Sequence, residues 1–445
     1  MTAISDRPRR DGVPRSTRRA FATALSLSML PGAARTTAGH ATPAATPAAT
    51  PSGPQLVVTP TEVAFDERFD VWLTGLEPGQ AVTLTSTFEG YGSGFTAEAT
   101  FVADDLGIVD LASHAPVDGD WWVADTMGLI WSATGKTFYR WSTTGSEPIT
   151  ITATSGDQVI GEKTIARTIL PEGRAPEYID EDDMVANYYA PVEDEPAPAL
   201  IVLGGSEGGL SEYADLIASM LAARGYATLA LAYFGVGTLP PGLSRIPLEY
   251  FEHAIGWLRE QAGVDPERIG VVGVSRGAEL ALLLGSRWPE IKAVVSYVGT
   301  GYVHAEFVGP GSDLAVSAWT WRGEAIPHLS SFDMTEAEMR AVEISVERIN
   351  GPVLLIGGDA DVVWPSSYLS EVAWARLQRE GHEWPDQILR YPGAGHGISL
   401  PPYQPVASPH ALALGGDAHS NATAMANAWP AACQMLDTRL KFGWV

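Results

Sequence analysis

Apolar and polar positions alternate with period two along residues 56–166. In Phe69-Asp70-Val71-Trp72-Leu73-Thr74 one face is Phe, Val and Leu. The same alternation runs through 81–87, 97–103 and 149–154. Glycines and prolines separate the runs at Pro78-Gly79, at 90–94 and at Gly156. Period two puts alternate side chains on opposite faces of a half-buried strand. Short strands with turn residues between them predict a β-sandwich over 56–170.

After Gly173 the rhythm changes. Continuous apolar runs at 199–203, 227–233, 269–272, 293–298, 353–356 and 388–391 predict strands buried on both faces. Helical spacing lies between or after them at 213–224, 248–261, 276–287, 364–379 and 422–440. Strand–helix alternation of this kind predicts a doubly wound, mostly parallel α/β sheet over 171–445. Function in such sheets sits in the loops at the carboxyl ends of the strands.

Composition narrows the function. The chain has 445 residues, with 53 acidic against 28 basic side chains, a net charge of −25. That field repels phosphate backbones and excludes nucleic acid as the main partner. No apolar run approaches the ~20 residues of a membrane helix. The single cysteine, Cys433, excludes an intramolecular disulfide and a zinc ribbon. No metal-ligand cluster or phosphate-cradling loop is visible, so neither metal nor cofactor is expected.

Residues 1–41 are the exception to the acidity, with seven arginines and two aspartates. They contain Ser16-Thr17-Arg18-Arg19-Ala20-Phe21, a mild apolar run at 20–30, and small residues at Gly39 and Ala41. Paired arginines, a weak apolar core and a small-residue cleavage site predict a twin-arginine export signal. The expected location is therefore periplasmic or extracellular. The Pro/Ala/Thr repeat that opens residues 42–55 predicts an extended linker.

The pattern G-x-S-x-G occurs twice, at 204–208 around Ser206 and at 273–277 around Ser275. A nucleophile elbow needs a strand just before the serine and a helix just after it. Ser275 has both: 269–272 leads in and 278–283 continues as helix. Ser206 is followed by Gly208-Gly209, which delays the next helix to about Ser211. Ser206 instead falls in the first strand–helix loop, where such a sheet builds an oxyanion hole from backbone N–H groups. Ser275 is thus the candidate nucleophile. The N–H of Arg276, with one from Ser206 or Glu207, is the candidate oxyanion pair.

A serine hydroxyl needs a base. The expected order is serine, acid, histidine, each after a later strand. Gly393-Ala394-Gly395-His396-Gly397 follows the strand at 388–391 and makes His396 the candidate base. Asp359 and Asp361 both follow the strand at 353–356. Asp361 is preferred, because the acid must lie far enough past the strand end to point at the histidine.

With these residues placed, the chain resembles the acyl-CoA thioesterase and bile acid-CoA:amino acid N-acyltransferase family. The resemblance runs over about 56–442. It rests on Asp125-Thr126-Met127-Gly128-Leu129-Ile130-Trp131, Ala230-Leu231-Ala232-Tyr233-Phe234, Leu248-Glu249-Tyr250-Phe251 and Val274-Ser275-Arg276-Gly277-Ala278-Glu279-Leu280. It also rests on the acid loop 358–364, Tyr391-Pro392-Gly393-Ala394-Gly395-His396, Gly415-Gly416 and the helix ending Ala428-Trp429. The resemblance implies an N-terminal β-sandwich joined to an α/β-hydrolase domain, with Asp361 as the acid. It implies a serine enzyme acting on a small-molecule acyl thioester, with an exported carboxylester hydrolase using the same triad and a non-catalytic binding protein on the same fold as the rival readings. The N-acyltransferase branch typically carries cysteine where this chain has Ser275, so hydrolysis is the expected outcome. The segment 301–340, with Trp319, Trp321, His328 and Phe332, reads either as a substrate cover or as a packed excursion.

Overall fold

In the first half of the chain, alternation and burial coincide. The computed structural model describes residues 53–443 except 91–92, 138, 140–141, 182–183, 193–194 and 332. The predicted export segment and residues 42–52 of the predicted linker lie outside the described residues. Strands Ala81–Gly90 and Ser93–Val102 pair antiparallel. Val82, Leu84, Phe88, Phe95, Ala97, Ala99 and Phe101 all point inward and are buried. The two strands belong to a seven-stranded sheet, and a second sheet of Gln55–Thr59, Asp70–Thr74 and Val109–Asp110 adds Val71 and Leu73 to the same core.

The stretch from Asp125 to Trp131 closes this sandwich with one buried helical turn, Gly128–Trp131. Its indole Nε1 donates to Asp125 Oδ2 at 2.8 Å, and Arg68 pairs with Asp125 Oδ1 at 2.6 Å. Gly128 is required there. A Cβ would stand 2.4 Å from the Trp121 ring.

The second half is an eight-stranded sheet: β1 Glu177–Glu181, β2 Met184–Tyr189, β3 Ala197–Leu203, β4 Ala227–Ala232, β5 Val264–Val274, β6 Ile291–Tyr297, β7 Val353–Gly358 and β8 Gln387–Tyr391. Its order is β1-β2-β4-β3-β5-β6-β7-β8. β1–β2 and β2–β4 are antiparallel and the rest parallel. Every residue of β3, β4 and β7 is buried, because helices cover both faces. The pattern of apolar runs predicts no strand before 199. β1 and β2 escape it because Asp180, Glu181 and Asn187 interrupt their apolar residues. Antiparallel pairing at a sheet edge tolerates such polar positions.

The helices are α1 Glu212–Ala223, α2 Glu249–Arg259, α3 Arg276–Arg287, α4 Ser366–Glu380 and α5 Ala418–Leu436. α1 starts where Ser211 Oγ accepts the Ala214 N–H, and α5 where Asp417 accepts the Ser420 N–H. These side chains satisfy amides the helix itself leaves open. α5 begins four residues before the apolar spacing predicts, because this polar cap sets its start.

The described residues form one compact unit, and a single apolar cluster runs from the sandwich into the layer around α1 and α5. Polar contacts cross the same boundary. Asp66 of the sandwich accepts from Arg224 Nη2 and from Trp429 Nε1, each at 2.6 Å. Of the two readings of segment 301–340, the structure takes the packed one. Trp319–Trp321 pairs with Ile246–Pro247 and with Glu324–Ala325, and Trp319 is fully buried against Tyr233 and Phe251.

Candidate active site

The site grows from backbone constraints at the carboxyl ends of β3, β5, β7 and β8. β5 ends at Val274 and α3 begins at Arg276, so Ser275 alone makes the turn. Its φ of 56° and ψ of −118° place an L residue in the left-handed half of backbone space, a conformation that stores strain. Two glycines make the turn possible. A Cβ on Gly273 would lie 2.1 Å from Gly277 O, and one on Gly277 would lie 2.2 Å from Gly204 O. The elbow and the loop after β3 are therefore in direct backbone contact.

That loop, 204–209, carries Ser206 and Glu207. A Cβ on Gly205 would meet Ser275 Cβ at 3.0 Å. Glu207 turns back on its own loop: Oε1 accepts the Gly205 N–H at 3.0 Å and a hydrogen bond from Ser211 Oγ. The α3 amide of Arg276 belongs to a first helical turn, whose N–H groups have no intrahelical acceptor.

The acid loop after β7 separates the two aspartates. Asp359 pairs with Arg390 at 3.2 Å. A hydrogen bond from Ser367, then the Arg390 charge, hold its carboxyl below the usual range against a partial desolvation. The Asp361 side chain is fully buried and bonds the imidazole: His396 Nδ1 to Asp361 Oδ2 is 2.7 Å. Asp361 Oδ1 accepts the N–H groups of Val363 and Trp364 at 2.9 and 3.3 Å. Both oxygens are thus engaged and the carboxylate cannot rotate freely.

His396 is held from the chain side as well. Its N–H donates to Leu414 O at 2.9 Å. Isolated bridges join Asp361 to Gly415 and Ala394 to Gly416. Gly415 and Gly416 have φ of 96° and 75°, and a Cβ on Gly395 would strike Gly415 at 2.2 Å. Asn421, in the first turns of α5, accepts the Gly395 N–H at 2.8 Å and donates to Gly415 O at 3.2 Å. Trp364 packs edge-on to the His396 ring, with centroids 6.3 Å apart, and lies tilted against the His304 ring at 5.2 Å.

Ser206, Glu207, Ser275 and His396 line one cavity of about 340 Å³. The sandwich contributes Tyr139, and the segment after β8 contributes Leu400, Gln404, Val406 and Leu414. Val406 N–H donates to Trp131 O at 3.0 Å, so the 125–131 turn braces this wall. Among the described lining residues none comes from 301–340. That segment lies behind the elbow instead. The buried Glu279 accepts Trp319 Nε1 at 2.7 Å and His304 N–H at 3.0 Å. Arg276 Nε stands 2.9 Å from Glu279 Oε2, and Arg276 Nη1 donates to Ala305 O at 3.0 Å. Burial is the main force raising the Glu279 carboxyl above its usual range, against the Arg276 charge.

Sequence reasoning passed over Glu279, Trp364 and Asn421 as site residues. Glu279 had a visible signal, a carboxylate one helical turn after the elbow serine and within an apolar run. Trp364 and Asn421 act on His396 through contacts that no local pattern encodes.

A strand–serine–helix elbow, a glycine loop pressed against it and an Asp–His pair at the carboxyl edge of this sheet define an α/β-hydrolase. Comparisons with known proteins narrow the class. The model described as "BAAT / Acyl-CoA thioester hydrolase C terminal" matches residues 246–441, and "Acyl-CoA thioester hydrolase/BAAT N-terminal region" matches 66–179. The peroxisomal succinyl-coenzyme A thioesterase of Mus musculus is 31% identical over 404 residues, 84% of this chain and 94% of its own. Acyl-coenzyme A amino acid N-acyltransferase 1 of Mus musculus is 30% identical over 401 residues, 84% of this chain and 95% of its own. A putative dienelactone hydrolase from Klebsiella pneumoniae superposes with a TM-score of 0.39 at 20% identity, over 57% of this chain and 92% of its own. The chain belongs to the acyl-CoA thioester hydrolase and bile acid-CoA:amino acid N-acyltransferase family of enzymes.

Proposed function

We propose that the protein is a serine hydrolase of acyl-CoA thioesters. The reading is carried by one observation: an Asp361-held His396 and the elbow serine Ser275 face one largely apolar cavity. In this reading Ser275 Oγ attacks the thioester carbonyl and His396 Nε2 takes its proton. Nδ1 is already committed to Asp361, which fixes the tautomer and stabilises the imidazolium. The oxyanion meets the N–H of Arg276 and one from the 206–207 loop, each donor being worth about 3–4 kcal/mol of barrier. The C–S bond breaks and His396 protonates the departing thiolate. Water then attacks the acyl-serine, His396 takes its proton, and the proton returns to Ser275 as the carboxylic acid leaves.

Cys433 does not compete as nucleophile. It is buried in α5, and burial pushes its thiol up to about 12. With serine at the elbow, hydrolysis is favoured over transfer to an amine. The test is a series of acyl-CoA substrates against p-nitrophenyl esters of equal chain length, with glycine offered as acceptor. A higher kcat/KM on the thioesters and no amide product support the reading. Preference for the oxygen esters would replace it with a carboxylester hydrolase, and amide formation with an acyltransferase.

We propose further that residues 1–41 export the chain by the twin-arginine route. Lysines at both Arg18 and Arg19 should retain the protein in the cytoplasm. Unchanged fractionation would end that proposal.

A further inference from the structure

The loop 204–209 has a second face, turned away from the cavity. Tyr233 follows the last residue of β4 and is buried. Its hydroxyl lies 2.7 Å from Gly204 O and 3.3 Å from Gly205 O. Its ring is fixed on several sides, with centroids 5.1 Å from Phe234, 5.7 Å from Phe251 and 5.9 Å from Trp319. A tyrosine hydroxyl has one proton, and both neighbours are carbonyls, so it donates. Burial, with the Glu207 carboxylate as the next cause, pushes this hydroxyl well above its ordinary range and keeps the proton on it.

Peptide geometry turns this contact into a statement about the cavity side. In a planar trans peptide the C=O of one residue and the N–H of the next point in opposite directions. Gly204 O faces Tyr233, so the Gly205 N–H points away from it, and there Glu207 Oε1 takes it at 3.0 Å. Gly205 O also faces Tyr233, so the Ser206 N–H points away too. Ser206 lines the cavity together with Ser275 and His396. Of these two amides, the Gly205 N–H is consumed by Glu207, and the Ser206 N–H is left on the face of the loop opposite Tyr233.

We infer that Tyr233 is a positioning residue for the oxyanion hole, holding the Gly204 and Gly205 carbonyls so that the Ser206 N–H is the second donor to the oxyanion. The inference rests on the serine-hydrolase reading and resolves its choice between Ser206 and Glu207 in favour of Ser206. Glu207 then acts only as the internal brace of the loop.

Tyr233→Phe removes the hydroxyl and keeps the ring in its aromatic setting. A donor free to swing by about 1 Å loses its alignment with the transition state, which costs up to about 100-fold in rate. The control is Tyr250→Phe. The Tyr250 hydroxyl donates to Ala232 O in the same aromatic cluster, one residue short of Tyr233 but away from the loop. The measurements are kcat and KM on the best acyl-CoA of the series and the inhibition constant of the trifluoromethyl ketone of the same acyl chain. That ketone forms a tetrahedral oxyanion adduct with the serine. The expected result for Tyr233→Phe is a fall in kcat of about 10- to 100-fold with KM little changed. The ketone should weaken in parallel with kcat, because it uses the same donors. Tyr250→Phe should keep kcat and ketone affinity near wild type, whatever each variant loses in Tm. Equal losses in the two variants, or a Tyr233→Phe enzyme with normal kcat, would overturn the inference. Should Tyr233→Phe fold poorly, the ketone-to-substrate affinity ratio of its folded fraction still decides, since unfolding lowers active concentration without changing that ratio. Failure of the hydrolase reading is separately visible. It would show as an active Ser275→Ala enzyme or as no ketone inhibition of wild type.

Discussion

Among the described residues the sandwich and the α/β layer each bury one arginine, and the two are held very differently. Arg167, in the strand Gln158–Thr168, is fully buried with its guanidinium 3.9 Å above the Phe65 ring and Nη2 donating to Phe65 O at 2.5 Å. Its close contacts among the described residues are an aromatic face and one carbonyl, with the Glu147 and Asp66 carboxylates as its nearby opposite charges, and it serves the packing of the sandwich. Arg276 is held by Glu279 and by Ala305 O, in a network that also takes in Trp319 and His304. Its own backbone begins α3 beside Ser275. One region buries charge to close a core, and the other buries it to tie an elbow to its surroundings. The lesson is a division of labour. The sandwich supplies area and one wall of the cavity, while polar precision is concentrated where four strands end.

That division predicts opposite signatures for damage in the two regions. The largest effect should come from Ser275→Ala, with kcat reduced by on the order of 10⁶. Its Tm should stay near wild type, because alanine keeps the Cβ and leaves the strain at φ of 56° unchanged. A large loss of stability with residual activity would blur the distinction between the regions.

Next is the acid. Asp361→Asn keeps the shape but can select the wrong imidazole tautomer, at a cost of about 10⁴ in kcat. Asp359→Asn weakens the hydrogen bond from Ser367 and the pair with Arg390 and should cost less than about tenfold, given how little exposed ion pairs contribute. Steady-state kinetics on both variants check this, and a reversed order would reassign the acid.

The sandwich should show the other signature. Trp131→Ala removes a buried indole and its bond to Asp125, a loss of about 3–5 kcal/mol in unfolding free energy. The carbonyl that accepts from Val406 stays, but the turn that carries it loses its indole anchor, so KM should rise more than kcat falls. Chemical denaturation and kinetics together test it. A kcat collapse with normal stability would mean that the sandwich takes part in chemistry.

The smallest effect is one of pH. Burial, then the charges of Arg276 and His328, lower the His304 ring from 6.5 to about 3 in the folded state. The unfolded chain therefore binds this proton before the folded one does. Stability from this group is complete above about pH 6.5 and is lost as pH falls toward 3. Melts of wild type and His304→Gln at pH 7 and pH 4.5 should show the variant losing less Tm on acidification. Equal losses would mean that the ring is not held neutral.

Much of this was legible before any coordinates. The α/β elements appear as continuous apolar runs because both sheet faces are covered. The elbow appears as G-x-S-x-G after a strand because close backbone approach excludes side chains at Gly273 and Gly277. The cues for Ser275, Asp361 and His396 lay in strand-end loops, whose chemistry is local. What stayed hidden depends on contacts between distant segments. β1 and β2 are strands through pairing rather than periodicity, and 301–340 packs behind the elbow because Trp319 finds Glu279 there.

Sequence by itself determined the order of the elements from 199 onward, the two domain types and the residues capable of the chemistry, since each follows from propensity and spacing along the chain. Tertiary structure alone brought the preferred Asp361 against the histidine, placed the 401–414 segment on the cavity wall, and set Tyr233 behind the glycine loop. Those outcomes depend on distances of about 3 Å between groups far apart in the chain, from Tyr233 and Gly204 to Val406 and Trp131, and hydrogen bonds at that range carry no periodic trace in the sequence.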